Sequence, residues 1–131
     1  MPEQFSFSTN IFIRISDINY GNHVGNDAVL SLIHEARVQY LAVHGFTELQ
    51  CGGVGLIMSD AGIEFKKEIF YGDAVAAYVS AVNFSSIGFD LYYRLEVNGI
   101  AAVHAKTGMI CYDYEKKKIA QVPDVVRERM K

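Results

Sequence analysis

The chain has 131 residues, half of them apolar and 21% charged, with a formal net charge of −3. That length supports one hydrophobic core, so residues 1–131 are read as a single globular domain. The balance leaves no basic footprint for nucleic acid, and no apolar run approaches the ~18 residues that a membrane span needs.

The opening MPEQFSFSTN lacks the basic start and sustained apolar core of a secretory signal. Cys51 and Cys111 stand in different segments with neither CxxC nor metal-type spacing. Free thiols in a cytoplasmic protein are therefore expected. The short cluster Lys116-Lys117-Lys118 reads as a solvated turn.

In chain order, residues 5–16 (FSFSTNIFIRIS) alternate apolar and polar and predict a half-buried strand. A polar loop over 17–25 follows. From Asn26 or Asp27 to His44 the pattern is helical, and Gly45 supplies the stop. Val29, Leu30, Leu32, Ile33, Ala36, Tyr40, Leu41 and Val43 cover well over half of that helix, so a curved sheet should wrap it.

Strands are expected over 55–69, where the first residues fit helix or strand before alternation sets in, and over 73–84, 88–97 and 101–113, separated by turn signals. Asn98-Gly99 between two alternating runs predicts a two-residue hairpin. A short helix from Pro123 to Met130 closes the chain, with proline near its start. The expected architecture is α+β, one long helix packed on a five-stranded antiparallel sheet. Strands 73–84 and 101–113 run long without charge, which implies cover on both faces and self-association into a homodimer or a homotetramer.

The densest chemistry lies in SDINYGNHVGNDAVLSLIHEAR, residues 16–37. Backbone N–H groups at a helix start are unpaired and sit at the positive end of the helix dipole. They are a ready site for a developing oxyanion. Gly25 allows close backbone approach there, and Asn26 and Asp27 compete for the cap position. Asp27 is either a first-turn acid or the working carboxylate. His23 is either a loop-fixing donor or the partner of Asp27.

Two acids stand apart. Glu35 lies two turns into the helix, either paired with His34 or Arg37 or held under the sheet. Asp60 sits in the apolar run LIMSDA and needs a partner to be tolerated there. His104 reads as a satisfied strand histidine. No spacing fits a metal site, and no glycine-rich phosphate loop follows a strand.

Asn19-Tyr20-Gly21-Asn22-His23-Val24-Gly25-Asn26 followed by Glu35-Ala36-Arg37 resembles the acyl-CoA thioesterases similar to 4-hydroxybenzoyl-CoA thioesterase. Ile63-Glu64-Phe65 and Phe70-Tyr71-Gly72-Asp73 look like the strand and turn that follow in that family. The resemblance implies a hotdog fold, in which the sheet wraps the long helix. It implies hydrolysis of a fatty or aromatic acyl-CoA without metal or redox cofactor, in a cleft shared across a dimer.

It also locates a departure. Asn19 stands where the family usually places its catalytic aspartate, and an amide cannot take up a proton at neutral pH. Asp27 is the preferred replacement. Asn19, His23, Gly25 and Asn26 then position substrate and water, with Asp60 and Glu35 as further site candidates. Two alternatives remain: a hydratase or dehydratase using His23 and Asp27 as an acid–base pair, and an acyl-thioester-binding module without turnover.

Overall fold

The computed structural model describes residues 1–2 and 4–131. Strand β1 covers Phe7–Phe12, and helix α1 covers Asn26–Val43. Four longer strands follow: β2 Gly55–Phe65, β3 Ala74–Val82, β4 Gly88–Val97 and β5 Ile100–Asp113. The two-residue strand β6, Lys118–Ile119, and helix α2, Asp124–Met130, complete the chain. The strands form one antiparallel sheet in the order β1-β3-β4-β5-β2, with β6 added against β5. The sheet is thus six-stranded rather than five-stranded, because the chain after Lys116 turns back on β5.

Helix α1 lies on the inner face of this sheet, where alternate strand residues point at it. Val29, Leu32, Ile33, Ala36, Tyr40 and Leu41 meet Val75, Val79, Leu91, Tyr93, Leu95, Val103 and Met109 in one core. Each large apolar side chain removed from water there contributes about 1.5–3 kcal/mol before entropy is subtracted. The helix ends as its sequence requires. Gly45 takes φ +84°, Phe46 N–H donates to Leu41 O at 2.8 Å, and Gly45 N–H donates to Ala42 O at 3.0 Å. This is a Schellman stop, and Phe46 packs into the core beyond it. Cys51 and Cys111 are both free and buried; burial pushes their thiols up to about 12 and about 11.

Asn98 and Gly99 both adopt positive φ, 52° and 77°, and close the β4–β5 hairpin in two residues. Two sequence expectations are corrected. The first strand stops at Phe12 instead of residue 16, because the Asp17 carboxylate turns back to accept the Arg14 N–H at 2.8 Å. A 3-10 turn over Ile15–Asp17 results, with Asp17 buried.

The outer sheet face is also less apolar than β3 and β5 alone suggest, because neighbouring β4 supplies charges. Arg94 pairs with Glu96 at 2.6 Å, and Lys106 on β5 lies 3.5 Å from Asp90. Among the described residues, no helix is long and apolar enough to cross a membrane.

Candidate active site

Loop 18–25 carries the site because backbone pairing fixes it at both ends. Ile18 bridges Val24, His23 bridges Phe70, and Asn19 N–H donates to His23 O at 2.9 Å. Val24 N–H donates to Ile69 O at 2.7 Å, and Gly25 N–H reaches Asp17 O at 3.3 Å. The residue capping α1 is therefore Gly25, with neither Asn26 nor Asp27 in the cap position. Those two form the first positions of the helix. Among the described residues, the N–H groups of Asn26, Asp27 and Ala28 have no hydrogen-bond acceptor. They are the free donors at the positive end of the dipole.

Gly25 sits at the centre of this arrangement. Its φ of −69° is ordinary for any residue, so glycine is there for space rather than for conformation. A Cβ at Gly25 would lie 2.7 Å from Asp27 Oδ1 and 3.7 Å from Asn19 Nδ2. The carboxylate and the amide thus flank one point over a bare stretch of backbone. Asn19 Oδ1 already accepts the Gly21 N–H at 2.8 Å, which leaves its NH₂ group as the free functional end. Asn26 and Asp27 are exposed, open to an incoming ligand.

His23 does not meet Asp27. Its Nδ1 lies 3.0 Å from Val24 O, and its Nε2 lies 3.9 Å from the Glu68 carboxylate. Glu35 faces the other side of α1, in a hollow shared with Arg14 and Asn10 of the β1 side. It accepts from Gln39 Nε2 at 2.8 Å, so the expected pairing with His34 or Arg37 does not form.

Asp60 lies on the outer sheet face, away from the loop. A β-bulge between Met58 and Asp60 puts it there, and Lys106 Nζ lies 2.8 Å from its carboxylate. The Lys106 hydrogen bond holds the Asp60 carboxyl below its usual range, with Ser59 adding to the effect.

A cleft of about 300 Å³ opens beside the helix start, lined by His23, Asn26, Val29, Phe65, Lys67 and Val103. A second hollow of about 280 Å³ continues along the same helix, where Leu30, Ile33, Arg37, Ile63, Ala105 and Thr107 form its wall. The two are neighbours, since Phe65–Val103 and Ile63–Ala105 are successive inward-facing pairs of β2 and β5.

The second hollow contains what sequence reasoning missed. Arg37 is only 8% exposed, its Nε 2.6 Å from Glu48 Oε1 and its Nη1 3.3 Å from Tyr93 Oη. His34 Nε2 contacts the other Glu48 oxygen at 3.1 Å, and Tyr93 Oη lies 2.8 Å from Thr107 Oγ1. Burial opposes the Arg37 charge, yet Tyr93 and Glu48 together raise its pKa above the ordinary value. Burial likewise opposes ionisation of Glu48, but hydrogen bonds from Arg37 and His34 prevail and lower its pKa. Glu48 comes from an aperiodic segment, so only the chemistry of a buried arginine could have signalled that a carboxylate was needed.

Among the described residues, no group of three or more His, Cys, Asp or Glu side chains is placed to hold a metal ion.

The family model described as the thioesterase-like superfamily matches residues 13–130. The chain belongs to the thioesterase-like superfamily. It is thereby a thioester hydrolase by class. Solved structures share its fold across nearly the whole length. A hypothetical protein from Aquifex aeolicus is 23% identical, with a TM-score of 0.87 over 95% of this chain and 99% of that one. A 1,4-dihydroxy-2-naphthoyl-CoA thioesterase from Synechocystis is 19% identical, with a TM-score of 0.85 over 95% and 94%. A Thermus thermophilus thioesterase complexed with coenzyme A and zinc is 19% identical, with a TM-score of 0.82 over 98% and 99%. No curated protein matches the chain at the sequence level.

Proposed function

We propose that this chain is a hotdog-fold acyl-CoA thioesterase in which Asp27 supplies the carboxylate that Asn19 cannot. The observation that carries the reading is the convergence at Gly25. Asp27 Oδ1 and Asn19 Nδ2 flank the residue that precedes three unpaired helix N–H groups.

In this reading the thioester carbonyl oxygen points at those N–H groups, which stabilise the negative charge that develops on it. Asp27 takes a proton from a water as that water attacks the carbonyl carbon. The C–S bond then breaks, and the CoA sulfur leaves with a proton to give the free acid and the thiol. The Asn19 NH₂ group orients the water or the carbonyl. His23 fixes the loop, and Asn26 shapes the mouth of the cleft, where Lys67 is placed to meet an anionic portion of CoA.

The hydratase alternative lacks its acid–base pair here, since His23 turns to Val24 O and Glu68. The binding-only alternative predicts ligand-induced stabilisation without free thiol.

A homodimer formed along β2 fits the same reading. This strand is an 11-residue sheet edge with Met58 and Phe65 exposed at 52% and 48%. An edge of that kind invites pairing with a second copy. Asp60 then lies near the two-fold contact. Two buried free thiols fit a reducing, cytoplasmic setting.

A panel of acyl-CoAs of varied length and aromaticity, followed by free-thiol release, tests the activity. Turnover with at least one of them, lost in Asp27→Asn, is expected. No thiol release from any member, with ligand-induced thermal stabilisation, would establish the binding-only reading.

A further inference from the structure

The second hollow is apolar along most of its length but ends on a polar network whose hydrogens are not all used. Arginine only donates, so Tyr93 Oη accepts from Arg37 Nη1, and the bond between Tyr93 Oη and Thr107 Oγ1 uses one of the two hydroxyl hydrogens. The other hydroxyl hydrogen of the pair is spare. Glu48 is already engaged at both oxygens, one by Arg37 and one by His34. Among the described residues, Arg37 Nη2 has no partner either.

Two unspent donors, Arg37 Nη2 and the spare hydroxyl hydrogen of the Tyr93–Thr107 pair, therefore border one slot lined by Arg37 and Thr107, with Thr107 only 4% exposed. Apolar neighbours Leu30, Ile33, Ile63 and Ala105 supply no acceptor from their side chains. A group that enters the slot with an acceptor can take up both donors, so the slot suits something that brings one.

We infer that this slot selects acyl chains carrying a neutral oxygen, a hydroxyl or keto group, at a distance from the thioester. The inference rests on the acyl-CoA reading of the helix start. Two rulers set the distance. Asn26 to Arg37 spans eleven residues of helix, about 16 Å of axis. Val103 to Thr107 spans four residues of strand, about 13 Å.

The distal oxygen thus sits well beyond the reach of a single aromatic ring attached to the carbonyl. Charge decides between a neutral oxygen and a carboxylate. Arg37 and Glu48 already cancel, so an entering carboxylate would bring a second negative charge beside a paired arginine with no cation left to match it. A hydroxyl or keto oxygen accepts from both donors and adds no charge.

The test uses CoA thioesters of ten-, twelve- and fourteen-carbon chains, each with and without a terminal hydroxyl. Matching non-hydrolysable thioether analogues are measured by calorimetry. At the best length, the hydroxylated chain should show a kcat/KM at least about tenfold higher and a correspondingly lower Kd for its analogue. Thr107→Val should narrow both ratios, whereas Thr107→Ser, which restores a hydroxyl, should keep them.

Equal or weaker binding of the hydroxylated analogue at every length overturns the inference, even if plain chains are hydrolysed well. Absence of thiol release from every thioester would instead defeat the hydrolase reading. The Kd ratio of the analogues then still decides the slot: a preference for the hydroxylated one upholds it, and parity overturns it.

Discussion

The two ends of the groove along α1 handle polarity in opposite ways. At the helix start, polar groups are exposed and left unpaired: three N–H groups, the Asp27 carboxylate and the Asn19 NH₂ surround a residue with no side chain. Three turns on, Arg37 is buried, and Glu48, His34, Tyr93 and Thr107 tie it into a connected network. The first arrangement is reactive and contributes little stability. The second holds α1 to the 45–54 segment and to the sheet. Chemistry and cohesion are thus separated along one helix, and mutations at each end should read out differently.

The largest expected effect is on stability. Arg37→Ala leaves Glu48 and Tyr93 without their cation, and breaking a buried pair costs about 3 kcal/mol at the lower end of its range. Glu48 is partly solvated, with 31% of its side chain exposed, so the lower end applies. A urea unfolding curve that moves by less than about 1 kcal/mol would show that the network holds nothing together.

Next comes Asp27→Asn, which should cut kcat by roughly 10²-fold, the usual scale for losing a positioned base. Stability should change by less than about 1 kcal/mol, since Gly25 is the cap and Asp27 contributes only a first-turn charge. Near-full activity in steady-state assays would reduce Asp27 to that minor role. Gly25→Ala should then cost about tenfold in kcat by pushing the carboxylate aside, with stability again within about 1 kcal/mol. Unchanged kinetics in this variant would mean that Asp27 works from another position, or not at all.

The smallest effect is on pH dependence. The Glu48 pKa is lowered in the folded protein, so its contribution to stability is present above the unfolded value of about 4.3. That contribution is lost as pH falls through the lower folded value. Thermal melts from pH 6 to pH 3 should therefore lose stability more steeply in the native protein than in Glu48→Gln. Parallel curves would remove Glu48 from the account.

Much of the fold was legible because it rests on local rules. The α1 stripe, the Gly45 stop and the Asn98-Gly99 turn all follow from period and backbone conformation. The early end of β1 was not, since it depends on the Asp17 carboxylate folding back rather than on hydrophobic alternation.

Within the candidate site, the crowding of 19–27 was visible in sequence. The assignment of the cap was not, because Gly25 is preferred over Asn26 and Asp27 only once its N–H is tied to Asp17 O. The Arg37–Glu48 pair joins a periodic helix to an aperiodic segment eleven residues on, and no local pattern registers such a contact. Asp60 looked anomalous in an apolar run for a related reason. A bulge resolves the anomaly, and a bulge is set by the partner strand.

That bulge divides β2 into two halves of opposite phase. Leu56 and Met58 face the helix before it, and Ala61, Ile63 and Phe65 face the helix after it. Ser59 is the residue that lets the phase change. Straightening the bulge with Ser59 still in the chain would carry the Asp60 charge under the sheet, or else turn one half of the strand inside out. Deleting Ser59 would instead make Met58–Met109 and Asp60–Gly108 adjacent pairs, with both halves facing as they do now. The strand should therefore tolerate the loss of this one residue and resist a single insertion or deletion elsewhere along its length.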